Sequence, residues 1–308
     1  MKFPHFWTIL LPLYCSNVIN AAPIEEIEEE HEKPFDLNRI ETLYSFGDSY
    51  TTQNLDLLSM TYACANCTSA GGRNWVEYLV DLHPMEYWNL AYNSAPISNN
   101  LVGQNSTTVT DVTTQITSLF PKYLSKASHN PYTTLHTIWV GINDINLTAD
   151  WDNTDELDEI LMEQYKVLVE YLMIKHNARQ FVLISVPPID RSLKWQIEGL
   201  ITITKIKRRV HDFNKKLKSL IKHLHSLFPG HYYLYDAWDT FTTILDHPED
   251  YNITHTTDYC PDWSFPVENN CSSIEQYFWY NDLHPTYKIH EYVAQDLYKF
   301  LKIHSSNE

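Results

Sequence analysis

Apolar residues along the chain fall into short runs separated by longer stretches of helical spacing. Strand-like runs lie at Leu43 to Phe46, Glu86 to Asn89, Leu135 to Val140, Phe181 to Val186 and Tyr232 to Tyr235. Helical patterns alternate with them, over Trp75 to Leu82, about Val109 to Leu124, Glu156 to His176, Ile201 to Phe228 and about Thr286 to Leu301. This alternation predicts an α/β fold, a parallel sheet covered on both faces by right-handed crossovers. Ligands of such sheets bind at the carboxyl ends of the strands, so chemistry is sought just after each apolar run.

The helix around residue 203 shows how a pattern is weighed. Ile203, Ile206, Val210, Phe213, Leu217, Leu220, Leu224 and Leu227 recur three and four apart, while Lys205, Lys207, Arg208, Arg209, Lys215, Lys216, Lys218 and Lys222 fill other positions. A basic helix can signal nucleic acid or a coiled coil. A single apolar stripe on a single long helix is better read as a face packed on the sheet with a solvated basic face opposite.

The ends of the chain read differently. Lys2 precedes an apolar run from Phe6 to Tyr14, and Ile19-Asn20-Ala21 supplies a small residue before a cleavage point. Residues 1–21 are therefore expected to be a secretory signal peptide, since the run is about half the ~20 residues of a spanning helix. Residues 22–40 read as an acidic N-terminal arm and residues 41–304 as one domain without repeats or linkers.

The 308 residues are 44% hydrophobic and 20% charged, which suits a large packed core. The formal charge of -17 opposes binding to nucleic acid and to anionic membrane surfaces. With Cys15 in the leader, four cysteines remain, and their short separations favour disulfides Cys64–Cys67 and Cys260–Cys271, with a zinc half-site at C-x-x-C as the rival. Five N-x-[S/T] sequons, at Asn66, Asn105, Asn146, Asn252 and Asn270, fit a secreted glycoprotein.

Two of only seven glycines directly follow predicted strands. Gly47 in Tyr44-Ser45-Phe46-Gly47-Asp48-Ser49-Tyr50 permits a sharp turn that would stand Ser49 among free N–H groups, where an oxyanion can be stabilised. Gly141 in Val140-Gly141-Ile142-Asn143-Asp144 brings the Asn143 amide to the same edge. Either segment alone reads equally well as a turn rich in Asp and Asn. Among 15 histidines, the tetrapeptide Asp-Leu-His-Pro occurs at 81–84 and at 282–285. His83 closes a predicted helix and reads as a stop signal, whereas His284 lies in a loop before the last helix and is the expected base. The hydrolase elbow G-x-S-x-G, H-E-x-x-H and the P-loop motif are absent from the sequence.

Four ordered blocks, FGDSY at 46–50, NLAYNSA at 89–95, VGIND at 140–144 and LHPT at 283–286, resemble those of the SGNH or GDSL hydrolases, most closely fungal secreted acetylesterases and lipase-like esterases. The likeness runs from about Glu41 to Lys302. It implies a three-layer α/β/α sandwich with a flavodoxin-like sheet in the order 2-1-3-4-5. It also implies Ser49 as nucleophile, His284 as base, and an oxyanion hole from the N–H groups of Ser49 and Ser94 and the Asn143 side chain. No cofactor or metal is implied. Two positions depart from the pattern: Ser94 stands where glycine is usual, and Asn281 stands where an Asp usually precedes the histidine by three. An asparagine can fix an imidazole tautomer but cannot neutralise imidazolium. The expected function is a secreted serine esterase acting through an acyl-enzyme on acetyl esters of carbohydrates. Longer acyl esters, or a catalytically weakened carbohydrate-binding role, are the alternatives.

Overall fold

The computed structural model describes residues 33–62, 64, 66–104, 107–124 and 130–306. The expected signal peptide, residues 22–32 of the arm and the Asn105 sequon lie outside them. Five strands, β1 (Thr42–Gly47), β2 (Glu86–Asn89), β3 (Thr134–Trp139), β4 (Gln180–Ile184) and β5 (His231–Tyr235), pair in parallel in the order β2-β1-β3-β4-β5. Gly47 lies opposite Trp139, Trp139 opposite Ile184, and Ile184 opposite Tyr235, so these four strands end level. Near-continuous apolar runs are what a parallel sheet buried on both faces requires. Leu43, Phe46, Leu135, Ile138, Phe181 and Val182 are all fully buried.

The main helices are α1 (Trp75–Leu82), α2 (Ile142–Leu147), α3 (Thr154–His176), α4 (Leu200–Leu227), α5 (Ala237–Asp246) and α6 (Tyr287–His304). Helices α1 and α5 pack along α6 on one face, and α3 along α4 on the other. The run expected at 109–124 starts at Val112, where Asp111 caps it by accepting from Thr114 N at 2.8 Å. It is interrupted by a π-helical turn, Gln115–Leu119, that continues into Phe120–Tyr123.

Two expectations need correction. The packed unit starts at Lys33, ahead of the expected domain start at Glu41. Phe35, Leu37 and Ile40 are buried, and Phe35 O accepts from Ser306 N at 2.9 Å, so apolar residues behind the acidic stretch tie the arm's end to the domain. Arg209 does not lie on the solvated face of α4. It is 4% exposed, and its Nη2 contacts Asp158 Oδ1 at 2.9 Å while Nη1 donates to Thr148 Oγ1 at 2.6 Å. The stripe itself is buried from Ile206 to Leu224, with Ile203 half-buried and Leu227 exposed. The four cysteines after Cys15 pair as Cys64–Cys67 and Cys260–Cys271, which leaves no thiolate for zinc among the described residues. No helix among the described residues is long and apolar enough to cross a membrane.

Candidate active site

The first strand ends in a turn that only glycine fits. Gly47 has φ +150°, and a Cβ there would sit 2.2 Å from Trp139 O. The buried Gln115 amide brackets it, accepting from Gly47 N at 2.9 Å and donating to Gly47 O at 2.8 Å. Gln115 opens the π turn, so that irregularity serves to hold the strand exit. Beyond it, Asp48 O accepts from Thr51 N and Thr52 N, and Asp48 Oδ1 accepts from Tyr50 N. These bonds consume the N–H groups around Ser49 and leave its own without a partner among the described residues. Burial pushes the Asp48 carboxyl up to about 8, against the pull of the Tyr50 N–H.

The exits of β2 and β3 meet this turn. Gly141 has φ +127°, with Phe213 and Val186 filling the space a Cβ would need. It opens α2, and Asn143 in the first turn donates through Nδ2 to Ala95 O at 3.2 Å and to Asp48 Oδ2 at 3.4 Å. Ser94 is exposed and left-handed, with φ +62°. The glycine usual at this position is explained by that dihedral, and the serine adopts it despite its Cβ. Asn89 also holds the site: its Nδ2 donates to Thr51 O and to Gln53 Oε1, and its Oδ1 accepts from Ala91 N. Buried Asp144 accepts from Ile97 N, clamping the β2 exit to α2, and burial pushes its carboxyl up to about 7.

His284 arrives on the loop before α6. His284 Nε2 lies 2.7 Å from Ser49 Oγ, and Nδ1 lies 3.0 Å from Asn281 Oδ1. The same oxygen accepts from Leu283 N at 3.0 Å and His284 N at 2.8 Å. An amide oxygen only accepts, so Nδ1 carries the proton and the Nε2 lone pair faces the Ser49 hydroxyl. Asp282 is exposed, and its carbonyl accepts from Lys194 N. Asn281 is thus the residue in contact with the imidazole. Burial holds His284 down to about 4, with the Lys194 ammonium acting the same way and Asp282 opposing. His83 is at the C-cap of α1, bonded to Ile40 O ahead of β1, at the strand end opposite Ser49.

Several supports carry no motif. Tyr50 is buried, donates to Leu283 O at 2.7 Å and packs its ring 5.6 Å from that of His284. Trp263 Nε1 donates to Tyr280 O at 2.7 Å, and Tyr280 N donates to His284 O at 2.8 Å. A polar residue straight after a strand is readable from spacing, whereas braces from residues 115 and 263 are brought in by the tertiary fold.

A neutral imidazole on a serine hydroxyl, with a bare N–H and an amide beside it, is an arrangement suited to acyl transfer. The family model described as GDSL-like Lipase/Acylhydrolase matches residues 43–297. An acetylesterase of Thermothelomyces thermophilus is 28% identical over 271 residues, 82% of this chain and 85% of that protein. The thermolabile hemolysin of Vibrio parahaemolyticus is 21% identical over 240 residues, 74% of this chain and 54% of its own. Among solved structures, an acetylxylan esterase from Geobacillus stearothermophilus superposes with a TM-score of 0.45 at 14% identity, covering 85% of this chain and 94% of that one. The chain belongs to the GDSL-like lipase/acylhydrolase family and is a carboxylic ester hydrolase.

Proposed function

We propose that the chain is a secreted acetylesterase in which Ser49 is the nucleophile, His284 the general base and Asn281 its orienting partner. The observation that carries this reading is the 2.7 Å contact between Ser49 Oγ and His284 Nε2. Ser49 Oγ attacks the acyl carbon as its proton passes to Nε2; the imidazolium then protonates the leaving alcohol, and water releases the acyl group by the reverse path. The oxyanion is received by the N–H groups of Ser49 and Ser94 and by Asn143 Nδ2, which exchanges its long contact to Asp48 for the developing charge. Acetyl esters are the proposed substrates, on the strength of the acetylesterase relative; a carbohydrate as the alcohol part is proposed from the resemblance of the four sequence blocks to the fungal secreted acetylesterases. The leader-like residues 1–21, the two disulfides and the sequons support secretion. Asn66, Asn252 and Asn270 are exposed and accessible to glycan, whereas Asn146 is half-buried with an unpartnered buried Oδ1.

Turnover of p-nitrophenyl acetate against palmitate by the purified chain tests this reading. Acetate is expected to be preferred; a preference for palmitate would assign the enzyme to longer esters. Ser49→Ala and His284→Ala are expected to lose at least ~10³-fold in kcat while remaining folded, and His83→Ala to keep its turnover. Undiminished kcat in Ser49→Ala sinks the assignment.

A further inference from the structure

The segments flanking the second disulfide carry another serine, histidine and acid in relay. His255 Nε2 lies 3.0 Å from Ser272 Oγ, and His255 Nδ1 lies 3.1 Å from each oxygen of Asp258. Asp258 stands two residues before Cys260 and Ser272 one after Cys271, so the disulfide brings the two ends of the relay together. The backbone fixes the imidazole as well: His255 N donates to Gln276 O, and His255 O accepts from Phe278 N at 2.8 Å. The ring stacks on buried Tyr277 at 4.0 Å and 12°, and an aromatic face favours the protonated imidazole that a general base becomes. The carboxylate keeps the proton on Nδ1 and leaves Nε2 to accept from the Ser272 hydroxyl. This cluster shares no residue with the Ser49 site, and it has the acid that Asn281 replaces there.

We propose that Ser272 is a second acyl-accepting serine, which takes the acyl group of small activated esters and retains it. Ser272 Oγ bonds to the carbonyl carbon as its proton moves to His255 Nε2. The bond from that carbon to the leaving oxygen then breaks, and the imidazolium proton goes to the leaving group or to solvent. Retention follows from the backbone. The N–H of a nucleophilic serine is a common oxyanion donor, but Ser272 N is already given to Tyr277 Oη at 3.3 Å. Both half-reactions lack that stabilisation, so only an ester with a good leaving group acylates Ser272, and the serine ester formed, with its poor leaving group, hydrolyses slowly. The Asp258 carboxylate is 55% exposed, so its part is to orient the ring more than to supply charge.

The test uses the full-length Ser49→Ala chain, treated with p-nitrophenyl acetate and read by p-nitrophenolate release and peptide mass spectrometry. A stoichiometric burst with little turnover, and acetyl on the peptide containing Ser272, are expected. His255→Gln in the same background should slow acylation by about 10²-fold or more, the ordinary worth of a general base. Ser272→Ala should abolish the burst. It also removes the Asn270 sequon, so Asn270→Gln, which keeps the hydroxyl, is the control and should retain the burst. Circular dichroism checks the folding of each variant. Absence of acetyl at Ser272, or acetylation at an unchanged rate in folded His255→Gln, overturns the proposal. Undiminished turnover in Ser49→Ala would be a separate failure, that of the Ser49 assignment.

Discussion

Asn281→Asp is the most informative single change at the active site, because three N–H groups already converge on the atom that would carry the new charge. Oδ1 of Asn281 accepts from His284 Nδ1, His284 N and Leu283 N, all within 3.0 Å. A carboxylate there would face the imidazolium with charge centres about 4 Å apart, a gross attraction of about 4 kcal/mol at an effective dielectric of 20. Residue 281 is half-buried, so desolvating the new carboxylate and screening by solvent take back more than half, leaving about 1–2 kcal/mol. That corresponds to a gain of about 5- to 30-fold in kcat/KM for acetyl esters. The same energy raises the affinity of His284 for a proton. In the proposed mechanism activity needs the neutral imidazole, whose protonation lies at about 4 in the present enzyme. The acid limb of the kcat/KM profile should therefore begin near that value and move up by about one pH unit in the variant. Asp282→Ala, measured alongside, should cost little. A gain without movement of the acid limb, or a collapse of activity in Asp282→Ala with Asn281→Ala mild, would refute the reasoning.

Ser94→Gly should stabilise the fold by about 0.5–1 kcal/mol in urea unfolding, because the serine holds φ +62°, and activity should be unchanged if only its N–H is used. Arg209→Ala should cost about 3–5 kcal/mol in the same assay by stranding Asp158 in the interior; a loss under 1 kcal/mol would show that the pair is solvated. The pH dependence of stability has a defined shape. Burial lowers His284 to about 4 and His290 to about 3, so the stability tied to them is full above pH 6.5 and is lost as pH falls from there. Asp48 and Asp144 are raised to about 8 and 7, so theirs is full below the ordinary Asp value and is lost as pH rises through the folded values. The two slopes oppose each other between about pH 4 and 6.5, which predicts a plateau there and a loss of about 2–3 kcal/mol between about pH 6.5 and 8. Asp48→Asn should remove most of that alkaline loss, and an unchanged fall would refute the role given to Asp48.

The strands were legible because a sheet covered on both faces must be apolar throughout, and such runs stand out wherever they occur. β2 and α1 match the sequence reading residue for residue, and capping explains α1: Asn74 and Glu77 exchange hydrogen bonds in a capping box. Short pieces such as α2, or the ribbon Leu55–Asp56 with Thr61–Tyr62, span too few residues for a period to show. Arg209 was misplaced for a different reason. Period fixes the angle of a side chain around a helix, but an arginine at the margin of the stripe turns inward only if a partner such as Asp158 waits there, and that partner lies on another helix. The site divides in the same way. Ser49, Asn143 and His284 lie beside strand exits or a loop signal, whereas Tyr50 and Gln115 act through distant contacts that no local spacing encodes.

With His284 as the proposed base, the amide at 281 and the burial of the ring act on one quantity, the availability of the neutral imidazole. A carboxylate partner stabilises imidazolium in the transition state, but it equally favours imidazolium in the resting enzyme, so the base is lost to protonation at higher pH. Here the partner is neutral and burial dominates, and His284 stays unprotonated down to about 4. Stabilisation of the charged transition state is weaker per encounter, yet a larger share of molecules is competent in acid. Below the pH at which a carboxylate-partnered histidine would be mostly protonated the two effects cancel, and the amide loses nothing there. The kcat/KM profiles of the present enzyme and of Asn281→Asp are therefore expected to converge at acid pH and to separate near neutrality, where the aspartate form is ahead. Convergence requires that one interaction set both the barrier and the protonation. Parallel profiles would mean that residue 281 only holds the ring in place.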